Sequence, residues 1–186
     1  MKNLKIGTRL AIGFGLTLLL LIIVSVVSGL RVSNLADSIN DVVHNTFPKT
    51  VHANHVIDHI NGTARSLRNA ALVKSTADQN NEINRVMEAR RLTTESFDEL
   101  ERTIVLPEGR RILDRALDSR RAAVAEQDRY LSLLKSGQHD EAIDHLLGPV
   151  RTTQSSYLEH VGELITFQSR IMVEAGEAAN QLANST

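Results

Sequence analysis

Arginines stand in pairs at several places in this sequence, among them Arg65 and Arg68 in "TARSLRN", Arg90 and Arg91 in "EARRLTT", and Arg120 and Arg121 in "DSRRAA". A guanidinium presents a planar fork of donors that matches a carboxylate, so arginines that converge make a site for an organic anion. Thr152 and Thr153 in "VRTTQ", with Asn61, Asn69 and Tyr157, offer neutral hydrogen-bonding groups for the same ligand. Two of the arginines stand where a helix should place an apolar residue. One stripe at 3-4 spacing reads Ile83, Val86, Arg90, Thr93, Phe97, Leu100, Ile104, and another reads Leu113, Leu117, Arg120, Val124, Gln127, Leu131, Leu134. Burying a guanidinium without a partner costs several kcal/mol, so an anion entering beside it would relieve that cost. The alternative is that these arginines reach outward, or pair with glutamates of neighbouring helices.

His52, His55 and His59 in "VHANHVIDH" lie at i, i+3 and i+7 on one helix face, and His160 stands at a similar level on a later helix. Imidazoles so placed are able to bind a transition metal, but the spacing fixes no orientation, and neither metal nor cofactor is expected. "NGT" at Asn61 matches a glycosylation sequon by chance, inside a long helix. The chain contains no nucleophile elbow, phosphate loop or H-E-x-x-H pair, and nothing argues for an enzyme. A formal net charge of -1 lacks the basic excess of a nucleic-acid binder, and the absence of Cys excludes a disulfide scaffold.

The elements that must position these groups are all helical, since long runs rich in Ala, Leu, Glu and Arg carry only three Pro. Residues 10–30, "LAIGFGLTLLLLIIVSVVSGL", are uncharged and, at about 1.5 Å each, span about 30 Å of hydrocarbon. A cleaved signal peptide would have a shorter apolar part, so a retained transmembrane helix is expected. Lys2, Lys5 and Arg9 precede it, which puts residues 1–9 in the cytoplasm and residues 31–186 outside. Breaks at "KSTADQNN", "VLPEGRR" and "KSGQHD" divide the remainder into helices of about 32–75, 78–105, 107–135 and 139–186, with Pro48 predicting a kink or local break. Short connections make neighbours antiparallel, giving an all-α, up-down-up-down four-helix bundle in long-short-short-long order. The remaining stripes are Val56, Ile60, Thr63, Leu67, Ala70 on the first helix and Val150, Thr153, Tyr157, Val161, Leu164, Ile171, Ala175, Ala178, Leu182 on the last. The last helix returns toward the membrane and reaches Thr186 before a second apolar span, so a fragment cut short of a second membrane helix is expected.

Counting about 1.5 Å per residue from the helix ends puts Arg65 roughly 50 Å beyond Arg31, and brings Arg90, Arg91, Arg120, Arg121, Thr152 and Thr153 to nearly that level. The expected anion site therefore comprises Arg65, Arg68, Asn61, Arg90, Arg120, Thr152 and Thr153, with Tyr157 of the last helix's stripe beside them.

"LKIGTRLAIGFGLTLLLL", followed by this helix layout, resembles bacterial methyl-accepting chemotaxis proteins with a four-helix-bundle sensor domain. "NGTARSLRNAALV", "LPEGRRILDRALDSRRA" and "GPVRTTQSSYLEHV" also look like segments of that domain. The resemblance covers the whole chain. It implies a periplasmic sensor in the bacterial inner membrane that works as a homodimer. It also implies ligand contacts at Arg65, Arg68, Thr153 and Gln154, near the membrane-distal end. Two arginines stand where the aspartate receptor has three, and "VRTTQ" replaces its Pro-Thr-Gln, which argues against an amino-acid ligand; the expected ligand is a small di- or tricarboxylate such as malate or citrate. A chemotaxis kinase and its adaptor would bind a cytoplasmic part beyond residue 186. Sensors of histidine kinases or cyclic-dinucleotide enzymes, and a single-span helical adaptor protein, share the same layout.

Overall fold

The structure is a computed structural model describing residues 6–184, apart from the side chains of Arg9 and of residues 182–184. The cations Lys2 and Lys5, the side chain of Arg9 and the expected seam residue Leu182 thus lie outside the described residues. Six α-helices follow one another: α1 (Ile6–Asp41), α2 (Phe47–Leu72), α3 (Thr76–Thr103), α4 (Pro107–Lys135), α5 (His139–His145) and α6 (Arg151–Asn184). Two π-helical turns, Val42–Thr46 and Leu146–Val150, join α1 to α2 and α5 to α6. The contacts define two compact units, Val43–Met172 and a second one to which α1 and the end of α6 belong.

α1 is the one helix among the described residues long and apolar enough to cross a membrane. Its leucines, isoleucines and valines from Leu10 to Leu30 are all exposed, as a lipid-facing helix requires.

Val43–Met172 holds a four-helix bundle, with α2, α3 and α4 as the first three rods and α5, its π-helical turn and α6 as the fourth. The helix expected over 32–75 is interrupted ahead of Pro48, which sits in the first turn of α2 where a missing N–H is harmless. The expected helix 139–186 is likewise interrupted, at Pro149 inside the second π-helical turn. "GP" at 148–149 carried that signal, because proline removes a helix N–H and crowds the preceding turn.

The connections are short and chemically specified. Ser75 caps α3, its Oγ accepting from the Asp78 N–H at 3.3 Å. Pro107 opens α4. Gly137 adopts φ 78°, closing α4 in a Schellman motif in which the Gln138 N–H bonds the Leu133 carbonyl and the Gly137 N–H that of Leu134.

Two hydrophobic clusters fill the bundle. One gathers Ala53, Val56 and Ile60 of α2, Phe97 and Leu100 of α3, Leu113, Ala116 and Ala123 of α4, and Tyr157, Val161 and Leu164 of α6. The other gathers Leu67, Ala70, Ile83, Val86, Tyr130, Leu131, Leu134, Ala142 and Val150. The α2 stripe is buried throughout. On α4 the alanines and Tyr130 carry more of the core than the leucine spacing indicates. On α6, Phe167 and Ala179 are buried while the expected Ala178 is exposed, because the stripe rotates away from strict 3-4 spacing over so long a helix.

Candidate functional site

Along every helix the two clusters are separated by polar side chains. Thr63 lies between Ile60 and Leu67, Thr93 between Val86 and Phe97, and Gln127 between Ala123 and Tyr130, all three of them buried. Arg90, only 18% exposed, donates from Nε and Nη2 to the Gln127 Oε1 at 3.2 and 2.9 Å, and from Nη1 to Asp128 at 2.7 Å. Arg120 donates to the Thr94 hydroxyl at 2.5 Å and lies 5.4 Å from the centre of the Phe97 ring. The Thr93 hydroxyl donates to the Ala89 carbonyl at 2.7 Å. Tyr157 completes the layer with its ring stacked on Phe97 at 6.3 Å, and burial pushes its phenol well above the usual range. The space enclosed by Arg90, Arg120, Gln127 and Tyr157 is about 20 Å³, the size of one water and far below that of a carboxylic acid.

The other arginines expected at this level face outward. Arg91 pairs with Glu88 and Glu95 of its own helix, and its hydrogen bond holds the Glu88 carboxyl below the usual range. Arg121 pairs with Asp118. The residues expected at one level therefore do not surround a common cavity. Counting along an axis gives height but not facing, and successive helix positions turn by about 100°.

Arg65 and Arg68, both exposed, open onto different sides of α2. Arg65 shares a groove with His59, Asn69 and Arg85, between α2 and α3. Arg68 borders an open groove of about 310 Å³, whose other walls are Ala64, Leu146, Leu147, Val150, Arg151, Gln154 and Ser155. This second groove joins α2 to the π-helical turn and the start of α6. It brings together two expected residues, Arg68 and Gln154, and adds Arg151 and Ser155. Arg151 was hidden from a search along the apolar stripe because it stands one position outside it, in "GPVRTTQ". Neither Arg68 nor Arg151 has a side-chain partner among the described residues. The hydroxyls of Thr152 and Thr153 donate at 3.0 Å to the Gly148 and Pro149 carbonyls, serving the widened turn, and Asn61 is exposed apart from the groove.

Two cations, an amide and a hydroxyl against an apolar floor of Leu146, Leu147 and Val150 can hold a small anion with a carbon skeleton. Among the described residues, no three His, Asp or Glu groups stand close enough to hold a metal ion. His160, on α6, does not line the groove where His52, His55 and His59 lie.

No curated protein matches the sequence. A family model described as a four helix bundle sensory module for signal transduction matches residues 3–183. With one apolar membrane-length helix ahead of an all-helical bundle, the chain belongs to this family, the four-helix-bundle sensory modules of the methyl-accepting chemotaxis protein type.

Proposed function

We propose that the chain is the ligand-sensing region of a transmembrane chemoreceptor, and that it binds a small di- or tricarboxylate in the groove between α2 and α6. The observation that carries this reading is the pair Arg68 and Arg151. They come from different helices and flank one groove, with no acid on either guanidinium among the described residues. Gln154 and Ser155 supply neutral hydrogen bonds to the ligand, and Leu146 and Val150 pack its carbon chain. Arg90 and Arg120, closed on partners of their own, support the bundle. The resemblance favours a homodimer with the bundle in the periplasm of a bacterial inner membrane. Its output would be a chemotaxis kinase reached through a second membrane helix beyond residue 186. A ligand bridging α2 and α6 transmits a signal only if it binds more tightly to one packing of those helices than to another.

The test is calorimetric titration of the whole chain in lipid nanodiscs with mono-, di- and tricarboxylates. A charge-assisted hydrogen bond contributes about 1.5–3 kcal/mol, so Arg68→Ala and Arg151→Ala should each weaken binding at least about tenfold. Failure of every carboxylate to bind, or equal affinity in both variants, would overturn the assignment.

A further inference from the structure

The polar layer between the two clusters carries a positive charge that no acid within it balances. Its cavity of about 20 Å³ is lined by Thr63 of α2, Arg90 and Thr93 of α3, Arg120 and Gln127 of α4, and Tyr157 of α6, with no acid among the lining residues. Arg90 reaches Asp128, but the partners of Arg120 are all neutral: the Thr94 hydroxyl, the Arg90 carbonyl and the Phe97 ring. Burial raises the Tyr157 phenol, and the charge of Arg120 works against that rise, so this guanidinium lies close enough to the phenol to act on it.

The hydrogen-bonding capacity left over in the layer is mostly of one kind. Two bonds from Arg90 go to Gln127 Oε1, which leaves the Nε2 of that amide as a donor. The bonds of Arg120 leave from Nη2 alone, so its Nε and Nη1 are donors without partners among the described residues. Tyr157, 4% exposed, has a buried hydroxyl with no hydrogen-bond partner among the described residues, an omission that folded proteins seldom carry. A water in the cavity would bring hydrogens that need acceptors, and a carboxylate is too large for it. A halide is close to water in size, accepts from all of these donors at once and offsets the Arg120 charge.

We propose that Arg120, Gln127 and Tyr157 form a buried site for one chloride ion. Bound there, chloride takes hydrogen bonds from Tyr157 of α6 and from Arg120 and Gln127 of α4. It thereby gives α6 a polar link of the kind that Arg90 and Arg120 make between α3 and α4. The site shares no residue with the groove between α2 and α6, so it does not rest on the carboxylate reading.

The test is thermal unfolding of the whole chain in lipid nanodiscs, together with the width of the chlorine nuclear magnetic resonance line. Expected are a line broadened by the protein, and a higher midpoint in sodium chloride than in sodium methanesulfonate at equal ionic strength, since methanesulfonate is too large for the cavity. Tyr157→Phe keeps the ring and removes only the hydroxyl. It should weaken chloride binding at least about tenfold and lose the chloride-specific part of the midpoint, whereas a purely structural role would lower the midpoint equally in both salts. Arg120→Gln should behave likewise. Arg121→Ala, at the exposed neighbour, and Arg68→Ala, in the carboxylate groove, should leave both readouts at parent values. Absence of chloride-specific broadening and stabilisation in the parent chain, the result for a cavity that holds water alone, would overturn the proposal. So would undiminished chloride effects in Tyr157→Phe, or their loss in Arg68→Ala.

Discussion

Arg90 and Arg91 are neighbours in sequence and identical in chemistry, yet their replacement by alanine should have very different effects. The Arg90 side chain enters the buried layer and gives two hydrogen bonds to the amide oxygen of Gln127, itself only 6% exposed. Arg90→Ala leaves that oxygen without its donors, which costs about 1–3 kcal/mol. The lost contact with Asp128, whose side chain is 58% exposed, adds less than about 1 kcal/mol. Together the loss is about 2–3 kcal/mol, which for a bundle of this size lowers Tm by roughly 10 °C. Arg91 pairs only with exposed glutamates one turn away, so Arg91→Ala should move Tm by no more than about 2 °C. Pairing Arg90→Met with Gln127→Leu removes both polar groups at once and should recover most of the stability lost by Arg90→Ala. Thermal and urea unfolding followed by circular dichroism measures all three variants against the parent chain. Equal effects of Arg90→Ala and Arg91→Ala, or a double variant no better than Arg90→Ala, would refute the view that the layer is a closed internal network.

Gly109→Ala places a Cβ 2.8 Å from Phe167 Cε1 and 2.9 Å from Ile104 Cγ2, so overpacking by about 1–3 kcal/mol outweighs the helix-propensity gain and urea midpoints should fall. Gly162→Ala meets nothing within 4 Å and should raise the midpoint, by about 0.5–1 kcal/mol of stability. Gly137→Ala forces a side chain into the left-handed region at φ 78° and should cost about 1–2 kcal/mol in the same assay. Burial pushes the Tyr130 phenol up to about 12, and its hydroxyl donates to the Leu67 carbonyl at 2.7 Å. Between about pH 10 and 12 the folded state keeps a proton that the unfolded state has released, so stability should fall as pH rises through that window. Tyr130→Phe should cost about 1 kcal/mol at pH 8 and flatten that alkaline decline, as read by unfolding from pH 8 to 12.

The helical fold was legible because its signals are local. Ser75, Pro107 and Gly137 mark ends that depend on backbone chemistry within a few residues, and each does so in the structure. The stripes also identified Arg90, Thr93, Arg120 and Gln127 as inward-facing, since periodicity reports facing directly. What the sequence concealed was whether those polar groups satisfy one another. That depends on α3 and α4 meeting with Arg90 opposite Gln127, a separation of 37 positions that no local pattern encodes. Arg65 and Arg68 show the complementary difficulty. Three positions turn a helix by about 300°, enough at the edge of an exposed face to put one residue beside α3 and the other beside α6.

The layer also separates the four rods by how firmly each is held. Arg90 to Gln127, at a partly buried position, and Arg120 to Thr94, at an exposed one, tie α3 and α4 to each other. α6 enters the same layer through Tyr157, whose ring packs on Phe97 but whose hydroxyl has no partner among the described residues. The ion pairs from α4 to α6, Arg115 with Glu163 and Arg170 with Glu108, have cations about half exposed, where salt and water screen them. Apolar contacts tolerate a small axial shift better than directional hydrogen bonds do, because they depend on area rather than angle. Within this layer α6 is therefore fixed in register less firmly than α3 and α4. It also carries Arg151, Gln154 and Ser155 of the anion groove, so a ligand drawn between those residues and Arg68 acts on a helix that the layer's hydrogen bonds do not hold.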